Sequence, residues 1–263
     1  MGTKMRSAPV YFTIAQVRFN PILTLDTYAP QIQERLRKEG FPDVKKVFLA
    51  TINLNLAVPT EANPPQIPVA QTTRYLFDNM GRTSGFILDQ GALSFQTAEY
   101  DVFETFSSVF LKGLEAVNEA VGLSYTERIG VRYLDAVFPK SGETLRDYLC
   151  SSMLGLTEKL EETIVHAFSE TLVKKENVNV RSRVIIQEGD VGFPPDLQPM
   201  TLSLGERFKQ LHGRHAIIDT DGWCESRDTF SVERVREQLL LIHSGIDRTF
   251  RASVTENALK AWG

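Results

Sequence analysis

Residues 10 to 19, VYFTIAQVRF, alternate apolar and polar positions and are rich in aromatic and β-branched side chains. That pattern predicts a strand. NPILTLD then turns. Asp26 or Thr27 is placed to cap a helix over YAPQIQERLRKEG, with Pro30 in its first turn and Gly40 as its stop. Residues 46 to 58 return to strand, because Ile52, Leu54 and Leu56 alternate with Asn53 and Asn55. PTEANPPQIP carries Pro59, Pro64, Pro65 and Pro68 and reads as a surface loop. Three short strands follow, TTRYLFDN, SGFILDQ and ALSFQTA, parted by turn signals at Met80-Gly81-Arg82 and Gln90-Gly91. A helix begins near Asp101, with Val102, Phe103, Phe106, Val109, Phe110, Leu114 and Val117 on one side.

A similar order then starts again. ERIGVRYLDAVF predicts a strand, PKSG a turn and GETLRDYLCSSML a helix. Residues 157 to 175 fit either helix or strand. NVRSRVIIQEG is a strand with Arg181 and Arg183 on one side, GFPPDLQP a second Pro-rich loop, and RHAIIDTDGW a strand. A long helix begins near Ser231, striped by Val232, Val235, Leu239, Ile242, Ile246 and Phe250.

The phrase Val17-Arg18-Phe19 returns as Val131-Arg132-Tyr133, and FQTAEY has a counterpart in IDTDGW. The expectation is an α+β fold made by internal duplication of a β-α-β(3-4)-α unit, with residues 8–125 as the first repeat and 126–263 as the second. Each antiparallel meander would bury one face under a long amphipathic helix. This order is similar to the duplicated saddle of TATA-binding proteins, a likeness of topology that carries no function.

Composition narrows the partners. The chain has 263 residues, is 42% hydrophobic and 24% charged, and carries a net charge of −4, so no overall basic field draws nucleic acid or an anionic membrane. No segment reads as a signal peptide or membrane span, and the expected location is the cytoplasm. Cys150 and Cys224 sit in no metal-ligand spacing and fit reduced thiols, with a disulfide as the alternative.

Candidate chemistry is sparse. His212, His215, Asp219 and Asp221 form an H-x2-H-x3-D-x-D cluster of metal-binding residue types, although Asp221-Gly222 is also an ordinary turn and the two aspartates would share a solvated face. His166 and His243 fall in apolar periodic segments and read as helix-surface or interface residues. No G-x-S-x-G elbow, Walker loop or G-x-G-x-x-G is present. Arg18, Arg132, Arg181 and Arg183 could line one sheet face for an acidic peptide, a phosphate or single-stranded nucleic acid, or each could pair with a carboxylate such as Asp135, Glu127 or Glu188. Phe193 and Leu197 are apolar loop residues able to dock on the protein itself or on a partner.

The phrases APVYFTIAQVRFNP, IQERLRKEGFP, FQTAEYDVFETF, ERIGVRYLDAV and PPDLQP, with the C-terminal helix, resemble a sporadically distributed bacterial and archaeal family of about this length that has no assigned activity. Such a distribution implies horizontal transfer and a mobile defence or toxin-antitoxin setting. The expected function is non-enzymatic and needs no cofactor: a regulatory protein holding a protein partner through its sheet face or Pro-rich loops, with a homodimer allowed. The alternative is nucleic-acid binding or RNA processing on an arginine-lined face.

Overall fold

A computed structural model describes residues 5–52, 69–160, 162, 164–197 and 201–263. Nine strands form one antiparallel sheet: β1 (Val10–Phe19), β2 (Asp43–Ile52), β3 (Val69–Asp78), β4 (Ser84–Asp89), β5 (Ala92–Thr97), β6 (Tyr125–Val137), β7 (Ala167–Lys175), β8 (Val178–Asp190) and β9 (His212–Thr229). Their order across the sheet is β2-β3-β4-β5-β1-β6-β9-β8-β7. The helices are α1 (Leu25–Lys38), α2 (Phe103–Val121), α3 (Ser151–Leu154), α4 (Glu206–Lys209), α5 (Val232–Ser253) and α6 (Glu256–Trp262). Among the described residues, no helix is long and apolar enough to cross a membrane.

The long helices α1, α2 and α5 cover one face. Alternation sends Ala15, Val17 and Phe19 of β1 and Ile129, Val131 and Tyr133 of β6 into the core beneath them. The helices answer with stripes at three- and four-residue spacing: Phe103, Phe106 and Phe110 on α2, and Val235, Leu239, Ile242 and Ile246 on α5. Phe106 meets Phe95 of the meander at 5.3 Å between ring centroids. Ser231 caps α5 by accepting the Arg234 amide. Where α5 crosses β9, Gly222 leaves room for it, since a Cβ there would lie 2.8 Å from Ile242.

The expected duplication is corrected by this architecture. The chain builds one continuous sheet rather than two repeated saddle-like units, with β1 paired directly to β6 along its length. The halves are unequal, because five strands come from before residue 125 and four from after it. The helix expected over GETLRDYLCSSML is a single 3-10 turn at Leu145–Asp147 followed by the four-residue α3. Thr144 and Asp147 close that turn by a reciprocal capping box, and Gly155, at φ +55, ends α3. Residues 145–154 therefore supply no counterpart to the 14-residue α1. The recurring Val-Arg-aromatic phrase has a local cause: β1 and β6 are neighbouring central strands, each with one face under helices and an arginine on the other.

Residues 53 to 58 of the expected second strand, and the whole of the loop PTEANPPQIP, lie outside the described residues. Residues 167–175, legible as helix or strand, form the edge strand β7. Both cysteines are free, Cys224 buried and Cys150 half-buried.

Candidate functional site

The sheet face away from the long helices is set by register. Arg18 of β1 pairs with Arg128 of β6, Arg132 of β6 with Asp221 of β9, Asp221 with Arg181 of β8, and Asp219 with Arg183. Directly paired residues project to the same side, so all these side chains share one face. The four arginines singled out in the sequence thus share one face, with Arg132 on β6 and Arg181 and Arg183 on β8 flanking β9, and Arg18 set apart, four residues along β1 from Ile14, the partner of Arg132.

Three of them, Arg132, Arg181 and Arg183, pair with carboxylates, though others than Asp135, Glu127 and Glu188. Arg132, 9% exposed, donates from Nε and Nη2 to both oxygens of Asp219 at 2.6 and 2.7 Å, and from Nη1 and Nη2 to Asp196 at 3.0 and 3.1 Å. Asp219 is 1% exposed, and this bidentate contact satisfies it. Burial alone would lower the Arg132 pKa, but the hydrogen bonds to Asp219 and Asp196 outweigh it and raise the value. The Arg132 hydrogen bond holds Asp196 below the usual carboxylate range. Arg183 donates to Glu170 at 2.7 Å and lies 3.5 and 3.6 Å from Asp219 and Asp196. Arg181 reaches Asp221 at 3.0 Å, and Arg181 and Arg128 both lie over the Trp223 ring, at 5.8 and 5.7 Å. Burial raises the Asp221 pKa. Arg18 is exposed and has no ion pair among the described residues.

The second Pro-rich segment is fastened onto this face. A bulge between Val10 and Phe12 turns Tyr11 and Phe12 both outward from the helices, where they meet Phe193 at 5.7 and 5.2 Å. The Tyr11 hydroxyl donates to the Gly192 carbonyl at 2.7 Å. Leu197, Leu202 and Leu204 pack on the same cluster. Phe193 and Leu197 therefore dock on the protein itself, and Asp196 between them pins the segment to Arg132.

The His/Asp cluster does not converge. His212 meets Asp190 at 2.8 Å at the exposed end of the β8–β9 pair, and His215 is buried and stacked on Phe138. Asp219 and Asp221 belong to the arginine network described above. Among the described residues, no group of three or more His, Cys, Asp or Glu is placed to hold a metal ion.

One end of the face is bare. β7 pairs with β8 over its whole length and ends the sheet. Phe168 and Leu172 project from it beside Ile185 and Arg181 and are 56% and 59% exposed. Sequence reading missed this edge, although AFSETLVKK holds Phe168 and Leu172 on one side, with Glu170 between them and Lys174 next in line. Asp196 was also missed, because no local pattern links a loop aspartate to an arginine on a distant strand.

No family model, curated protein or solved structure matches the chain.

Proposed function

We propose that the chain is a non-enzymatic protein-binding protein, and that the partner it holds through β7 is a second copy of itself. The observation that carries this reading is the charge order along the exposed edge. An antiparallel copy centred on Leu172 places Glu170 opposite Lys174 of the second copy and Lys174 opposite its Glu170. Leu172 then meets its own equivalent between those two pairs, a self-complementary pattern of the kind a two-fold interface requires. Cross-strand pairs of opposite charge contribute about 0.2–1 kcal/mol each, and burying each leucine adds about 1.5–3 kcal/mol. A nine-residue edge strand without proline, carrying exposed Phe168 and Leu172, lacks most of the devices that keep sheet edges apart.

The arginine face favours a protein partner over nucleic acid. Arg132, Arg181 and Arg183 are each engaged by a carboxylate, so the face is mixed in sign rather than a positive groove. Sedimentation velocity over a wide concentration range tests the proposal. A concentration-dependent dimer that Leu172→Lys converts to monomer is expected, and a wild-type chain that stays monomeric throughout would refute it.

A further inference from the structure

On the helix-covered side, a cavity of about 160 Å³ opens between the start of α2, the middle of α5 and the β1–β6 pair. That is about the volume that holds a benzene ring. Asp135 of β6 lines it. Its side chain is 6% exposed and makes no hydrogen bond or ion pair with any described residue. A carboxyl group withdrawn from water without a partner is costly, and nothing in the surrounding packing repays that cost.

The walls around Asp135 are aromatic and hydrogen-bonding. Phe103 of α2 stacks on His243 of α5 with ring centroids 4.0 Å apart. His243 Nδ1 lies 3.2 Å from the Tyr133 hydroxyl, which lies 3.4 Å from the Tyr100 hydroxyl. Burial lowers the His243 pKa and raises those of both tyrosines, so all three are neutral at pH 7. These contacts link the Tyr100 and Tyr133 hydroxyls and His243 Nδ1 into one hydrogen-bonded chain, whose donor direction follows the His243 tautomer. Asp101, Glu104 and Asp247 also line the opening, with Arg251 committed to Asp247 by two contacts of 3.0 Å. Asp219 acts on Asp135 from the far side of the sheet.

We propose that this cavity binds a small organic cation, a primary ammonium group whose N–H donors meet the Asp135 carboxylate while its alkyl stem lies against Phe103 and Tyr133. The cation supplies the partner Asp135 lacks, and aromatic faces favour a positive charge between them. A free amine and the lysine side chain of a protein share this chemistry. In the empty protein Asp135 holds its proton at pH 7, since burial first and the Asp219 charge second push its pKa up to about 8. Binding of the ammonium therefore expels one proton into solution.

Calorimetric titration of the full chain with n-butylammonium, which stays charged throughout, tests this at pH 6, 7 and 8, with 1-butanol as the uncharged counterpart. Affinity for butylammonium is expected to rise about tenfold from pH 6 to pH 7 and about fivefold more from pH 7 to pH 8, with proton release read from the dependence of the heat on buffer. Asp135→Asn is expected to flatten the profile and weaken binding at least tenfold at pH 8. The wild-type profile and the butanol comparison stand alone if that variant does not fold. A blocked lysine peptide that binds as well as butylammonium supports a protein side chain as the source, and binding of butylammonium alone supports a free amine. Equal affinity for butanol, a profile flat in pH, or no binding of butylammonium would overturn the proposal.

Discussion

Replacing Asp135 with asparagine isolates the cost of its buried charge. The Asp135 pKa moves from the ordinary 3.8 to about 8, through burial and then repulsion from Asp219. A group whose pKa is raised by folding gives its full stability below the unfolded value and loses it as pH rises through the folded one. Between pH 5 and 7 the unfolded chain has released this proton and the folded chain still holds it. Each pH unit then removes about 1.4 kcal/mol of stability that Asp135→Asn cannot lose. The variant should therefore gain about 2.7 kcal/mol on the wild type between pH 5 and pH 7, whatever offset its own amide introduces. Urea unfolding of both proteins at pH 5, 6 and 7 measures the difference. Parallel stability curves would refute the reasoning, because they would mean that the carboxyl ionises alike in both states.

Arg132→Met should destabilise the protein by about 3–5 kcal/mol, because it strands the buried Asp219 carboxylate and frees Asp196 from the sheet; urea unfolding checks it. A loss below 1 kcal/mol would mean that Arg183, at 3.5 Å, suffices for Asp219. Gly222→Ala should cost about 1–3 kcal/mol, because its methyl would press on Ile242 and Ile246 and lift α5 from β9. An unchanged melting temperature would contradict that packing.

Elements whose signal is local were legible in the sequence. The stripe Val235, Leu239, Ile242 and Ile246 located α5, and Ser231 marked its start. Alternation located β1, β6 and β8 and put Arg181 and Arg183 on one side. Elements decided by distant contacts were not legible. The turn at Leu145–Asp147 has a helical pattern, but the bridge between Leu149 and Val254 holds the chain extended just after it. The recurrence of Val-Arg-aromatic reported two strands in the same two-faced setting rather than a repeated unit. Carboxylate pairing, one of the two readings open for the arginines, holds for Arg132, Arg181 and Arg183 and not for Arg18, and the partners were not legible, since Asp196 reaches Arg132 only when the Pro-rich segment folds back over Tyr11 and Phe12. His243 read as a surface or interface residue because its ring contacts, Phe103 and Tyr133, lie on other elements.

The most direct measurement of the central claim is a charge-exchange cycle on β7, read by sedimentation velocity. Glu170→Lys alone and Lys174→Glu alone each place like charges opposite each other twice across the two-fold axis, and each should leave a monomer. The two substitutions together restore opposite pairs and should restore the dimer, with circular dichroism confirming that every variant is folded. Dimers in both single variants, or a double variant that remains monomeric, would contradict self-association through this edge.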